Sequence, residues 1–216
     1  ALGRQVHFNW TQPPLTEERL SLIESYPQGL RAKLLIEAGQ PHLASRELLR
    51  LHPGDNKKLQ ESLLAFAAEN ELPSFEIRFA HVFRPNDGQF YDASLYPLGS
   101  WVPKGGYKID KAFIHALVRQ ESRFNHKAEN GGSKAIGLMQ ILPSTANGVV
   151  GSKKFSGRGR HALKDPVTNI TIGQKYLLNL KKQKGIDNDI FALAIAYNAG
   201  PGNFRRWKKR HSDIDD

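Results

Sequence analysis

The segment 111–124 places a carboxylate where an apolar side chain is expected. It contains neither proline nor glycine, and its apolar residues recur at the spacing of one helix face. Those residues are Phe113, Ile114, Leu117 and Val118. The next positions on this face are Glu121 and Phe124. Burial disfavours the charged form of a carboxylate and raises its pKa, which keeps it protonated for general-acid catalysis near neutral pH.

A second interpretation of Glu121 needs no chemistry. A glutamate at the end of a helix can turn to solvent, or it can pair with the neighbouring Arg119 or Arg123. The periodicity of the segment leaves both interpretations open.

Two further segments end in polar residues that could line a site. Gly137-Leu138-Met139-Gln140 closes a glycine-rich loop and contains the only methionine of the chain. Ala196-Tyr197-Asn198-Ala199-Gly200 closes the most apolar helical stretch, before a Gly-Pro-Gly break. Taken singly, each segment is also typical of a capped helix end.

Together and in order, four motifs over about residues 95–210 resemble the catalytic domain of soluble lytic transglycosylases. They are Gln120-Glu121-Ser122-Arg123-Phe124, Gly137-Leu138-Met139-Gln140-Ile141-Leu142-Pro143-Ser144-Thr145-Ala146, Asp165-Pro166 with Asn169, Ile170, Gly173 and Tyr176-Leu177, and Ala196-Tyr197-Asn198-Ala199-Gly200-Pro201-Gly202. The resemblance implies a lysozyme-like helical fold and a peptidoglycan substrate. It also implies a periplasmic or cell-envelope location.

The resemblance implies that Glu121 is the catalytic residue. It would protonate the glycosidic oxygen between N-acetylmuramic acid and N-acetylglucosamine, then act as a base on the C6 hydroxyl to give a 1,6-anhydro end. The substrate-binding residues would be Met139, Gln140, Tyr197 and Asn198. No metal and no cofactor are expected. Ordinary glycosidases need a second carboxylate, and Glu129 is the only plausible candidate near these motifs.

The sequence departs from the family pattern in two places. The stretch between Glu121 and Gln140 looks one residue longer than usual, so the substrate-contacting serine of this loop could correspond to Asn130 or to Ser133. The family usually continues with a further helix after the point where Asp216 ends this sequence. We therefore expect a cleft that lacks one wall.

Two other functions remain open at this point. A goose-type muramidase has the same fold but hydrolyses the bond and leaves a reducing end. A non-catalytic module would instead use the basic run 151–161, within a polar basic loop that we expect over 148–162, to hold a polyanion or peptidoglycan. A nucleic-acid binder would use the same run, with Phe155 stacking on a base.

The elements that must position these residues are all helical, since no segment shows strand alternation. Proline and glycine breaks divide the first half into short helices that predict helical hairpins, an α-superhelical segment, with an irregular bundle as the alternative. We expect a hairpin or linker domain over 1–90 and the lysozyme-like catalytic domain over 91–216. The helix at about Asp189 to Tyr197 is mostly alanine and isoleucine, so we expect it to be buried on most sides.

Composition adds limits of its own. The 216 residues carry a net charge of +10 and no cysteine, which excludes disulfides and thiol catalysis. Residues 1–105 have a net charge of −1 and residues 106–216 one of +11, which predicts an anionic partner for the second half. No apolar run reaches the roughly 20 residues of a transmembrane helix. The chain begins Ala1-Leu2-Gly3-Arg4, so we expect a mature form or a piece of a longer protein.

Overall fold

The computed structural model describes residues 10–82, 91–186 and 189–210. The chain forms two compact units that divide between Ser100 and Trp101, ten residues after the division expected at 90/91. Every described element is helical apart from isolated β-bridges that join Glu129 to Ile136 and Ile136 to Ile141. The sequence also predicts a break at 84–88 and a helix cap at Asp187, and both positions lie outside the described residues.

The described residues of the first unit form six helices. They are α1 (Glu17–Glu24), α2 (Pro27–Glu37), α3 (Pro41–Leu48), α4 (Lys57–Glu69), α5 (Pro73–Val82) and α6 (Asp92–Leu95). Proline stands at the start of α2 and α3, where its missing N–H costs nothing. Neighbouring helices pack in pairs, α2 on α3 and α4 on α5, with α1 against α4. The predicted helical hairpins are confirmed.

Among the described residues, the core of the first unit is apolar apart from three serines and one glutamate. Leu63, Phe66 and Phe75 are buried at its centre. Glu76 on α5 is only 4% exposed, and Gln12 Nε2 donates a hydrogen bond of 2.9 Å to its carboxylate. Burial raises the pKa of Glu76 from 4.5 to about 7, partly offset by the hydrogen bond from Gln12.

The described residues of the second unit form five α-helices and one 3₁₀ helix. They are α7 (Lys111–Ser122), α8 (Pro143–Val150), the 3₁₀ helix (Gly157–Lys164), α9 (Pro166–Lys181), α10 (Ile190–Ala199) and α11 (Pro201–Arg210). Aspartates cap three of the α-helices as hydrogen-bond acceptors at their N-termini. They are Asp110, Asp165 and Asp189.

Buried polar side chains of α9 attach the loops of the second unit to this helix. Gln174 Oε1 accepts from the backbone N–H groups of Lys108 and Ile109 at 2.7 and 3.2 Å, and its Nε2 donates to the carbonyl of Gly106. Thr171 Oγ1 accepts from the N–H of Lys104 at 2.9 Å. The loop before α7 is therefore fixed by side chains of α9 and not by a strand ladder.

Three sequence-based expectations for the second unit are corrected by the structure. Helix α7 ends at Ser122, and Phe124 lies beyond it in left-handed backbone with φ +61°, although its side chain is buried. The run expected as a polar basic loop over 148–162 contains the 3₁₀ helix. Helix α10 is not buried on most sides, since Ile190 and Phe191 at its start are 54% and 77% exposed.

Among the helices formed by the described residues, none combines the length and the apolar character that a membrane span requires. No group of three or more His, Asp or Glu side chains within 10–82, 91–186 and 189–210 could hold a metal ion.

Candidate active site

A cleft of about 430 Å³ in the second unit contains Glu121. Its walls come from the end of α7, the glycine-rich loop, the start of α8, the middle of α9 and the end of α10. The lining residues are Glu121, Asn130, Ser133, Ala135, Gln140, Ile141, Leu142, Thr145, Tyr176, Tyr197, Asn198, Ala199 and Gly200. Glu121 is the only lining residue with a carboxyl group.

Glu121 stands in the last turn of α7, where the apolar face of the helix meets the cleft. The side chain is half-buried, and desolvation raises the pKa of its carboxyl group. No described residue forms an ion pair or a hydrogen bond with this carboxylate, so it is paired neither with Arg119 nor with Arg123. This arrangement is the one expected for a general acid.

Tyr197 lies beside Glu121 and is held in place by the glycine-rich loop. Its hydroxyl donates a hydrogen bond of 2.7 Å to the backbone carbonyl of Met139. Burial raises the pKa of Tyr197 well above its ordinary value, with smaller contributions from the charge of Glu121 and from Tyr176. The rings of Tyr176 and Tyr197 lie 5.7 Å apart at an angle of 55°. The phenol therefore stays neutral and its single proton is already donated.

Met139 does not line the cleft, contrary to the sequence-based expectation. Its side chain is fully buried and packs against Gly173, where an added Cβ would lie 2.2 Å from Met139 Sδ. Asn169 on α9 fixes the Met139 backbone, because its Oδ1 accepts from the N–H of Met139 at 2.8 Å. We therefore reassign Met139 from substrate contact to support of Tyr197 through its carbonyl.

The sequence marks Asn169 only as a member of a motif, and the structure shows that this residue supports the site. It is fully buried, and its Nδ2 donates to the carbonyls of Ile136 and Leu163 at 2.9 and 2.8 Å. The loop passes so close that a Cβ on Gly137 would lie 2.3 Å from Asn169 Nδ2, and Gly137 also has φ +81°. The signal available in the sequence was a polar residue, Asn169, on the apolar face of a helix that Asp165 caps.

Gln140 lines the cleft in a backbone conformation that is uncommon for a residue with a side chain. Its φ is +45°, in the left-handed region, and such strain is often found at functional sites. Its Nε2 donates to the carbonyl of Gly137 at 2.9 Å, which fixes the amide plane. No described group donates to its Oε1. This oxygen can accept a hydrogen bond from a ligand.

Both candidates for the substrate-contacting position of the loop line the cleft. Asn130 Oδ1 accepts from the N–H groups of Gly132 and Ser133, each at 2.9 Å, and so shapes the turn. Ser133 Oγ accepts from the N–H of Ala135 at 3.3 Å. Both side chains are in reach of a ligand in the cleft, together with Asn198 at its opposite edge.

Glu129 is not a second acid of this cleft. Its carboxylate forms ion pairs with Arg160 at 3.0 Å and with Lys164 at 2.9 Å, both on the 3₁₀ helix. The hydrogen bond from Lys164 is the main cause that lowers the pKa of Glu129. Its orientation toward these two cations leaves Glu121 as the single carboxylate in the cleft.

The basic run 151–161 does not offer the stacking surface expected of a nucleic-acid binder. Phe155 is buried, with 1% exposure, and its N–H donates to Asn147 Oδ1 at 2.8 Å. Lys154 lies over the ring with its Nζ 5.8 Å from the centroid. The aromatic ring is therefore part of the core and cannot stack on a base.

Solved structures define the class of this fold. The 70 kDa soluble lytic transglycosylase of Escherichia coli matches 97% of this chain and 34% of its own, with a TM-score of 0.75 and 27% identity. The structure of the 70 kDa soluble lytic transglycosylase in complex with bulgecin A matches 96% of this chain and 33% of its own, with a TM-score of 0.71 and 25% identity. The all-helical fold with a lysozyme-like second unit is confirmed.

The sequence model of the transglycosylase SLT domain matches residues 103–216, which include every residue of the cleft. The chain belongs to the transglycosylase SLT domain family, as the four motifs predicted.

Curated relatives match somewhat less than half of the chain. The soluble lytic murein transglycosylase of Salmonella typhimurium is 47% identical over 105 residues, which are 47% of this chain and 16% of that protein. Membrane-bound lytic murein transglycosylase C of Haemophilus influenzae is 40% identical over 103 residues, which are 44% of this chain and 29% of that protein. The chain thus spans a minor part of the length of the relatives it matches.

Proposed function

We propose that this chain cleaves the β-1,4 bond between N-acetylmuramic acid and N-acetylglucosamine in peptidoglycan without water, as a lytic transglycosylase. The observation that carries the proposal is a cleft with one half-buried carboxylate, Glu121, whose pKa is raised by desolvation. Family membership and relatives that are named murein transglycosylases support it. The place of action is the peptidoglycan of the cell envelope.

In the first step Glu121 is the general acid. Its carboxyl proton moves to the glycosidic oxygen as the bond from that oxygen to C1 of the muramic sugar breaks. Positive charge develops on the ring, and the new carboxylate of Glu121 lies near it in a poorly solvated site. The leaving sugar departs with a free C4 hydroxyl.

In the second step the same carboxylate is the general base. It takes the proton of the C6 hydroxyl, whose oxygen forms a bond to C1 and closes the 1,6-anhydro ring. Glu121 regains the proton that it gave up, and no water is consumed. Hydrolysis would need a second group to activate water, usually a carboxylate, and Glu129 is held outside the cleft by two cations.

Tyr197 gives Glu121 no hydrogen bond that would stabilise the charged carboxylate. Because the Tyr197 hydroxyl donates its only proton to the carbonyl of Met139, it can only accept from Glu121. A hydrogen bond between the two side chains therefore requires the proton on the carboxyl group. In this proposal Gln140 and Asn198, with Asn130 or Ser133, bind the sugar rings, and their position in the lining of the cleft supports it.

Product analysis tests the proposal. The full chain is incubated with purified peptidoglycan, and the soluble fragments are analysed by mass spectrometry. We expect 1,6-anhydro ends, which are lighter than reducing ends by one water. Reducing ends would establish the muramidase reaction instead. An absence of soluble fragments would favour a non-catalytic binding module.

A further inference from the structure

The chain contains two Asn-Gly pairs, and the structure places them in different surroundings. Asn130-Gly131 lies in the exposed glycine-rich loop, and Asn130 lines the cleft. Asn147-Gly148 lies inside α8. An Asn-Gly pair can lose ammonia when the glycine nitrogen attacks the side-chain amide, because glycine puts no side chain in the path of the attack.

The side-chain amide of Asn130 is polarised by the turn that it forms. Its Oδ1 accepts hydrogen bonds from the N–H groups of Gly132 and Ser133, each at 2.9 Å. These donors fold the amide over the residues that follow it, as in an Asx turn, and they stabilise the negative charge that an attacked amide oxygen acquires. Its Nδ2 has no partner among the described residues, so no hydrogen bond from them opposes its departure as ammonia.

The backbone nitrogen of Gly131 can act as the nucleophile. Its N–H group makes no hydrogen bond within the described parts of the chain. The carbonyl of the same peptide bond, that of Asn130, accepts from the N–H of Lys134 at 2.9 Å. That hydrogen bond polarises the peptide and makes the Gly131 N–H more acidic. Gly131 is exposed, so a base in solution can remove this proton.

The pair Asn147-Gly148 has the same two residues without these conditions. The N–H of Gly148 belongs to the hydrogen-bond ladder of α8. Residues outside the helix hold both polar atoms of the Asn147 side chain. Its Oδ1 accepts from the N–H of Phe155 at 2.8 Å, and its Nδ2 donates to Ser156 Oγ at 3.0 Å. Closure of a ring onto Gly148 would break the helix and both contacts.

We propose that Asn130 is a site of spontaneous deamidation that changes the charge of the candidate active site. The Gly131 nitrogen gives its proton to a base and forms a bond to Cγ of Asn130, and ammonia leaves with a proton from water. The resulting five-membered imide takes up one water and opens to aspartate or to isoaspartate. The sum exchanges an amide and one water for a carboxylate and ammonium. Either product adds a second carboxylate to a cleft in which Glu121 carries the only one.

The consequence for catalysis rests on the proposed function. A negative charge at position 130 disfavours the charged form of Glu121. The lining contains no cationic side chain, and its other titratable groups are the phenols of Tyr176 and Tyr197, whose pKa values are raised by burial. We therefore expect the decline of kcat/KM at high pH to begin at a higher pH after deamidation.

Peptide mapping by mass spectrometry tests the modification without an activity assay. The full chain is incubated at mildly alkaline pH, once folded and once in urea, and conversion of both Asn-Gly pairs is followed by the mass change and by chromatographic separation of isoaspartate. In the folded chain Asn130 should convert at least about tenfold faster than Asn147, the factor that one net hydrogen bond supplies. In urea the two rates should be similar. Equal rates in the folded chain, or a faster Asn147, would overturn the inference.

Gly131→Ala is the matched variant for the attack. The φ of Gly131 is not in the left-handed region, and an added Cβ would meet no atom within 4 Å, so the fold should be kept. The methyl group crowds the attacking nitrogen, and conversion of Asn130 should slow severalfold. An unchanged rate would contradict attack by this nitrogen.

Asn130→Asp represents one product and tests its effect on Glu121. The decline of kcat/KM at high pH should move to higher pH in this variant, and Asn147→Asp is the control that should show no such shift. An unshifted profile in Asn130→Asp would overturn the effect on the site. Failure of the proposed function is a separate result: the unaltered chain would release no 1,6-anhydro ends, while the mass analysis would still decide the modification.

Discussion

Glu76 in α5 and Glu121 in α7 both have a carboxyl pKa raised by burial, but their surroundings differ. Glu76 is almost fully enclosed in the apolar core of the first unit and accepts a hydrogen bond from Gln12. Glu121 is half-buried at the wall of a cleft and has no described partner. Burial produces the raised pKa in both cases, and only access to a ligand makes one of them a candidate catalyst.

The two units also hold their helices together differently. The first relies on apolar contacts such as those of Leu63 and Phe66. The second adds buried amides on α9, Asn169 and Gln174, that bind the backbone of its loops. Loops that must present side chains to a cleft have no ladder of their own, so side chains have to satisfy their backbone groups.

The largest expected effect separates the two glutamates by activity. Glu121→Gln keeps the shape of the side chain and removes the transferable proton, so cleavage of peptidoglycan should fall by about a thousandfold or more. The fold should be kept, as judged by circular dichroism. Glu76→Gln is the matched control and should keep full activity per folded molecule. Substantial cleavage by the Glu121→Gln variant would show that Glu121 is not the catalytic acid and that it does not differ from Glu76 in this respect.

Asn169→Ala should destabilise the second unit by about 3 kcal/mol or more, because three buried backbone groups lose their partner. Activity per folded molecule should also fall, since Met139 positions Tyr197 through its carbonyl. Leu63→Ala should lower the free energy of unfolding of the first unit by a comparable amount, about 2–5 kcal/mol. Denaturant titration and activity of the folded fraction measure both effects. A Leu63 variant with equally impaired chemistry would contradict the division between the units.

Stability of the first unit should fall as the pH rises from 5 to 8. The pKa of Glu76 is about 7 in the folded chain against 4.5 ordinarily, so the folded state binds more protons in this range. The full effect corresponds to about 3 kcal/mol. Glu76→Gln should remove this slope, as measured by hydrogen exchange of peptides from α4 and α5. An unchanged slope in the variant would assign the pH dependence to other groups.

The pH dependence of cleavage should follow Glu121 and not Glu76. Because the protonated carboxyl group starts the reaction, kcat/KM should decline above the raised pKa of Glu121, about tenfold per pH unit. The Glu76→Gln variant should show the same profile. If Glu76→Gln shifted the decline of kcat/KM at high pH, the protonation of Glu76 would influence Glu121, and the two carboxyl groups would not be independent.

Glu129→Ala should have the smallest effect on cleavage, less than about threefold, because its ion pairs with Arg160 and Lys164 are surface contacts. The comparison is with Glu121→Gln under the same assay and with the same product analysis. A loss as deep as that of Glu121→Gln, together with reducing-end products, would favour hydrolysis with Glu129 as the second acid.

Local patterns in the sequence were sufficient for the elements and for the main residue of the site. The aspartate caps, the proline starts and the apolar stripe of α7 are short-range features, so they predicted the helices and placed Glu121 at the end of a buried face. The four motifs added the family and the order of the segments that line the cleft.

Tertiary packing decided which neighbours of these residues face the cleft. Met139 and Gln140 are adjacent, yet one is buried and the other lines the site, because the left-handed backbone at Gln140 turns the chain between them. Packing likewise buried Phe155 and Glu76 and left Phe191 on α10 exposed. Periodicity shows which face of a helix is apolar, but what covers that face depends on residues far away in the chain. The sequence therefore determined Glu121 and its helix, and the tertiary structure decided its isolation from other charges and its access to a ligand.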